Sequence, residues 1–533
     1  MNLRRWFSLM PALLPAAAVF VWAALAHAWP EPWLLRVRAG EAVWSPTWLG
    51  CMEFAGEPMH LGMRFLHRLA LALPGATFAT VAWLSAAFAF TTVCVLAAMG
   101  RRSFAMSTMS HRLALVLVGL LVAVPAHGAI WLAGERIGAV LTPLLFVLAV
   151  HFLHGEGRFR WRAAAALLLA VVAPFCHSHG VVVAFALVPV LRAAVARAGS
   201  TRTAAWLVTA VLLGNLAAAL SLRTATDVVA AAPGYATLVT FVMRVGAAIG
   251  DVLPGARADD AALGASVLAL LLVLPRLGDR SGIARERASV WWSCVWFALG
   301  LLAFDALRFG DHPTSGTWRE ATYGAFLLPI GVVGVLACRF GAGVLRIAAG
   351  ALLVLAVQDW HRGLEELRLA RVRGELAAAA MALPIEQFGL ESSPLLRDPS
   401  HAAVARARGW AQTKVDFTGL AIAPGAGAEC SLVTAGEPTA VRGTVRSTLH
   451  QPGVATVFVV DAAQPTKVLG AAWPDFAAAR NDRVVPWTVA LATPLAEGAR
   501  ILVLGFRPGL RSSERLTAVH VLQNGRLVAE APR

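Results

Sequence analysis

Long apolar blocks separated by short arginine-bearing loops fill most of the first 357 positions, after which the pattern changes to short alternating runs. The blocks cover 9–29, 69–99, 113–133, 137–153, 163–176, 181–191, 204–222, 261–274, 288–307, 321–338 and 344–357. A perpendicular helix needs about 20 apolar residues to cross a bilayer, so these blocks predict membrane helices. Several are shorter than that and are expected to cross a thinned region or to span incompletely. Block 236–253 is ambiguous: it suits a helix, but Arg244 sits in its middle and Asp251 near its end.

Arginine placement addresses that ambiguity. Arg101, Arg102 and Arg112 mark one loop, Arg158, Arg160 and Arg162 the next, and Arg192, Arg197 and Arg202 a third. Cytoplasmic loops carry the excess of Lys and Arg. If 236–253 spanned, the loop with Arg276, Arg280, Arg285 and Arg287 would face outward. If 236–253 is re-entrant or lies along the outer surface, that loop falls inside, as do Arg339 and Arg346. The sequence therefore predicts about eleven spans, with the amino end inside and the carboxyl end outside. The first block follows Arg4 and Arg5 and ends in Ala26-His27-Ala28, which fits a signal-peptidase site. With so many blocks behind it, it reads as an uncleaved signal anchor.

Beyond the blocks, 359–380 is charged and helix-favouring, with Leu364, Leu367 and Val372 on one side, and Pro384, Pro394 and Pro399 mark a linker. From about Lys414 the runs become short and β-like: 429–435, 440–447, 455–460, 484–490, 501–506 and 516–522, with Asn524-Gly525 as a hairpin turn. The predicted organisation is a mostly α transmembrane bundle (1–358), a helix and linker (359–410) and a β-sandwich domain (411–533).

Composition sharpens this. The chain is 58% hydrophobic and only 14% charged, against about 25% in soluble domains. The net charge of +15 is nearly all Arg, because Lys414 and Lys467 are the only lysines. Arg confined to short loops between apolar blocks is a topology signal, and nucleic-acid binding is discounted. Six scattered Cys with no CxxC or CxxH spacing indicate neither a zinc site nor a disulfide framework. There is no P-loop, GxGxxG or nucleophile elbow, so no nucleotide site is proposed and no cofactor is named.

Under this topology the outer face collects the unusual residues. Loop 30–68 carries Glu53 and Glu57, with Trp29, Trp33, Trp44 and Trp48 suited to an interfacial belt. Glu135-Arg136, Cys176-His177-Ser178-His179, Arg223 with Asp227, and the loop from Arg308 to Glu320 join it. Guanidinium groups at headgroup level would hold the phosphate of a polyprenyl-phosphate substrate by bidentate contact; Arg136, Arg223, Arg308 and Arg319 are the candidates, with Glu320 beside them. Arginine snorkelling to lipid phosphates is the plainer alternative. Inverting glycosyl transfer needs a carboxylate to take the proton of the incoming hydroxyl, and Glu53, Glu57 and Asp311 are the candidates. Each of these also suits an ordinary solvated loop acid. His177-x-His179 reads as a polar break between two short spans rather than a metal site, since no further ligand lies near it in sequence.

Three stretches carry a resemblance: Pro125-Ala-His-Gly-Ala-Ile-Trp-Leu-Ala-Gly-Glu135, Phe175-Cys-His-Ser-His-Gly180, and Arg308-Phe-Gly310 followed by Thr317-Trp-Arg-Glu-Ala-Thr-Tyr323. With the carboxyl-terminal β domain, they make the chain resemble a broad group of bacterial polytopic membrane proteins distantly similar to GT-C glycosyltransferases and lipid-linked sugar polymerases. The resemblance implies an inner-membrane protein with a periplasmic carboxyl-terminal domain, acting on a polyprenyl-phosphate-linked sugar or surface glycan. GT-C enzymes place a paired acidic motif in the first outer loop; here only the spaced Glu53 and Glu57 stand there. The alternative is a non-enzymatic membrane scaffold or assembly subunit whose β domain binds a partner. A transporter finds less support, because Asp305 is the main acid within an apolar block.

Overall fold

The structure is a computed structural model. It describes residues 10–27, 61–74, 76, 78–104, 109–124, 127–131, 137–155, 159–198, 234–250, 257–277, 281–309, 323–340 and 343–354. In the carboxyl-terminal part it describes 422–424, 430–446, 456–464, 468–472, 484–506 and 513–530, with 345, 436 and 492 left out. The chain divides into two compact units, one holding Met1–Ala28, Ser45–Ala72 and Thr80–Leu367, the other built on Arg368–Arg533.

The first unit is helical. Its helices are α1 (Met10–His27), α2 (Leu61–Leu71), α3 (Phe78–Ser103), α4 (Met109–Val122), α5 (Ile137–His154) and α6 (Phe159–Cys176). They continue as α7 (Val181–Ala186), α8 (Val188–Ala198), α9 (Tyr235–Gly250), α10 (Arg257–Val273), α11 (Gly282–Phe309) and α12 (Leu327–Arg339). Among the described residues, five stretches are long and apolar enough to cross a membrane: Thr80–Ser103, Ile137–His154, Phe159–Cys176, Ser178–Arg197 and Gly282–Leu307. Arg112–Val122, Tyr235–Ala248, Ala261–Arg276 and Tyr323–Arg339 are shorter apolar helices. The expected block 204–222 lies outside the described residues.

Proline and glycine divide blocks that hydropathy alone leaves whole. The block 69–99 is two helices, because the chain turns at Leu73-Pro74 after α2 and resumes in α3. Within the described residues the block 113–133 is helix as far as Val122, ahead of Pro125, and again for the one turn Gly128–Trp131. Proline lacks the donor and clashes with the preceding turn, which hydropathy does not register.

Packing is by close approach of small residues, which suits helices that have no hydrophobic drive to associate within lipid. Gly264 of α10 meets the backbone of α9 at Val242 and Gly246, making α9 and α10 an antiparallel hairpin. Gly331 and Gly334 of α12 lie against Val295 and Trp291 of α11, while Gly324 lies against Leu301, so α11 and α12 are also antiparallel. Trp291 in turn stacks on Phe104 (5.1 Å) and Phe297 on Phe146 of α5 (4.3 Å). One apolar core runs through all of these helices.

The ambiguous block 236–253, expected to be re-entrant or to lie along the outer surface, is described as helix over Tyr235–Gly250. Helix α9 packs lengthwise against α10, and Arg244 is buried, 5% exposed, against Asp305 of α11. A charge neutralised inside the bundle no longer keeps its helix at the surface.

In the second unit ten strands among the described residues form two sheets. One is ordered β1-β8-β7-β4-β5, with β9 pairing both β7 and β10; the other is β2-β3-β6. The expected runs appear as β2 (Cys430–Ala435), β3 (Glu437–Arg446), β4 (Thr456–Asp461), β6 (Val484–Ala490) and β7 (Arg500–Phe506). The run 516–522 overlaps β9 (His520–Gln523). Strands β1 (Ile422–Pro424), β5 (Val468–Ala472), β8 (Ser513–Arg515) and β10 (Arg526–Ala529) were not expected from alternation. Three of them are only three or four residues long, and β5 is Val-Leu-Gly-Ala-Ala, too weak in β-formers to stand out. Val441, Trp487 and Val489 from the smaller sheet and Val457, Val459, Ile501 and Val503 from the larger share one apolar cluster. Their spacing by two puts each set on one face of its strand. The expected hairpin is present: Asn524 and Gly525, at φ 51° and 72°, make the two-residue turn between β9 and β10.

Because a side chain on Gly264 would fall on the carbonyl oxygen of Val242, Gly264→Val is expected to open the α9–α10 hairpin. Overpacking of this kind costs about 1–3 kcal/mol or more. Thermal unfolding of the purified protein in detergent measures it, and an unchanged midpoint refutes the packing described.

Candidate functional site

The ionisable residues of the helical unit sort to two ends. At one, Arg197 Nε pairs with Glu286 Oε1 at 2.6 Å, and Arg162 donates to Phe152 O at 2.7 Å and Leu153 O at 2.9 Å. Arg339 donates to Pro275 O at 3.2 Å, and the Cys338 thiol to Ser103 O at 3.9 Å. These contacts bring the ends of α3, α5, α8, α10 and α12 together with the starts of α6 and α11. The arginine-bearing turns around 101–102, 160–162, 192–197 and 276–287 therefore meet at one end, as the charge pattern required.

The other end holds the break after α6. Phe175 and Cys176 lie against Gly62, and Cys176 and His177 against Gly138. His177 is extended and its Nδ1 accepts from the backbone N–H of His179 at 3.3 Å, capping a single 3-10 turn, Ser178–Gly180. Gly180 fits only because it lacks a side chain, which would land on the backbone of Ala173. All three polar residues are buried. The His177 and His179 rings are 4.4 Å apart, and His179 meets Phe304 edge-on at 6.0 Å. Thus His177-x-His179 is a capped polar break between α6 and α7. Among the described residues, no cluster of three or more His, Cys, Asp or Glu could hold a metal.

Next to Phe304, Asp305 is fully buried and bonded to Arg244 of α9. Both charges sit where an unpaired one would be strongly disfavoured, and the contact of Arg244 Nη1 with Asp305 Oδ2 sets one against the other. On the same end, the His127 ring meets Tyr323 edge-on at 5.6 Å, and Tyr323 packs on Phe326 at 5.1 Å. The Tyr323 hydroxyl is buried with no hydrogen-bond partner among the described residues.

Most of the expected site lies outside the described residues: Glu53, Glu57, Asp311, Arg136, Arg223, Arg319 and Glu320. Arg308 has its backbone in the last turn of α11, three residues after Asp305. Sequence reasoning noted Arg244 and Asp305 separately as polar intrusions into apolar blocks but did not pair them. They are 61 residues apart, and no periodicity reports such a contact. The legible signal was one unmatched cation and one unmatched anion, each inside a helix that must bury it.

Comparisons of the chain with models of protein families, with curated proteins and with solved structures return no match.

Breaking a buried pair strands the remaining charge, at about 3–5 kcal/mol. Arg244→Met or Asp305→Asn alone is therefore expected to lower the unfolding midpoint in detergent strongly. The Arg244→Met/Asp305→Leu double variant should recover most of the loss. Additive destabilisation in the double variant would show that the two residues do not interact.

Proposed function

We propose that this integral membrane protein handles a polyprenyl-phosphate-linked sugar, or a surface glycan built from one, at the end of the bundle opposite its arginine-rich turns. With those turns on the cytoplasmic side of an inner membrane, the amino terminus lies inside and the carboxyl-terminal β domain is periplasmic. The carrying observation is the course of α11. It starts at the arginine end with Glu286, and Asp305, held by Arg244, lies near its far end. The last turn of α11 therefore ends on the side where His177, His179, His127 and Tyr323 lie.

In this reading Arg308 and Arg319, with Arg136 and Arg223, hold the phosphate by fork geometry, and Glu320 orients the arginines. Glu53, Glu57 or Asp311 takes the proton of the acceptor hydroxyl as its oxygen attacks the anomeric carbon. The glycosyl–phosphate bond breaks, and the polyprenyl phosphate leaves with the bonding electrons, its charge met by the arginines.

A second reading, a non-enzymatic scaffold or assembly subunit, draws on the β unit, which has its own apolar core and would bind a partner. The two part on one measurement. Transfer from polyprenyl-phosphate-linked sugar in proteoliposomes is expected to fall by at least about a hundredfold in Arg319→Ala/Glu57→Ala, the scale of a lost general base. Wild-type-like turnover in that variant rejects the assigned site. Absence of transfer in the wild type, with partner capture intact, favours the scaffold.

A further inference from the structure

Lipid meets this bundle along apolar helix faces, and the charges that flank a face fix its length. On α10 and the turn after it, Ala262, Ser266, Ala269, Val273 and Arg276 are all exposed and form one stripe. Asp259 falls on the same stripe, three residues before Ala262. From Asp259 to Arg276 is about 25 Å of helix. Between them the flank offers apolar surface: Leu270, Leu272 and Val273 are exposed, as is Leu238 of α9. Within the stripe Ser266 donates its hydroxyl to Ala262 O at 2.8 Å, the internal bond that a helix facing lipid needs. The charge inside α9, Arg244, is directed inward to Asp305, which leaves the outer face of the hairpin apolar.

Helix α11, in the same unit, is built to a different length. Arg285, Trp296 and Leu307 are exposed along it, and Arg308 in its last turn stands about 34 Å of helix beyond Arg285. A hydrocarbon layer is about 30 Å thick. Helix α11 therefore crosses it with its charges outside, and the α9–α10 hairpin does not. Tilting only shortens what a helix covers along the bilayer normal. An arginine stem recovers part of such a shortfall. A carboxylate has no comparable stem, and acids, Asp259 and Asp260, mark the tip end of α10.

We propose that the α9–α10 flank thins the bilayer locally and is a docking surface for phospholipid with acyl chains shorter than those that match α11. A face shorter than the hydrocarbon layer is accommodated by compressing the lipid beside it, and short chains need the least compression. The flank contains none of the residues assigned to sugar transfer, so the inference stands or falls independently of that reading.

The test places the full-length protein in vesicles of an equimolar mixture of dimyristoleoyl, dioleoyl and dierucoyl phosphatidylcholine, one headgroup with successively longer chains. Native mass spectrometry then reads which chains stay with the protein, against the composition supplied. The shortest chains are expected to be enriched about threefold over the longest, the scale of a mismatch of several ångströms. Asp259→Leu/Asp260→Leu lengthens the apolar face at the tip and Arg276→Leu lengthens it at the other end. Each is expected to bring the retained chains back towards the supplied composition. The two variants act at opposite ends, and either one that keeps the cooperative unfolding of the parent in detergent serves. No enrichment in the parent, enrichment of the longest chains, or enrichment that a folded variant leaves unchanged overturns the proposal.

Discussion

A charge inside an apolar helical bundle has to find its opposite, and the arrangement of the far end of this protein follows from one such pair. Arg244 and Asp305 are both buried, and neither helix could hold its residue there without the other. Their bond ties α9 to α11 close to the point where α11 ends. Phe304, next to Asp305, then meets His179, which joins the helix pair to the break after α6. Removing water and lipid from these groups makes their hydrogen bonds directional constraints.

The second constraint is that main-chain groups must also be satisfied where helices stop inside the bundle. The protein meets it with side chains and small residues. His177 caps the turn between α6 and α7, and Gly180 lets that turn lie directly on the backbone of Ala173. At the opposite end Arg162 performs the equivalent service for the last carbonyls of α5. Arginine gathered at this end thus also finishes a helix.

A soluble-type β unit attached to such a bundle is stabilised by different physics. Its core is a set of valines spaced by two around Trp487, and its strands are short. The chemistry proposed for the bundle draws on residues between helices, where binding and catalytic groups concentrate on a rigid scaffold.

The membrane character, most helix positions, the gathering of arginine turns at one end and the main strands were legible in the order of residues alone. Hydropathy blocks, loop arginines and alternation are local patterns, and local patterns survive without a fold. The Asn524-Gly525 turn belongs with them, because its backbone angles are dictated by the two residue types. Tertiary structure alone decided that Tyr235–Gly250 is an arm of a hairpin, that Arg244 belongs to Asp305, and that Arg102, Arg162 and Arg197 share one helix end with two histidines. Each of those facts joins residues distant in sequence, and the energy that selects them, a buried charge or carbonyl finding its partner, exists only once the helices have packed.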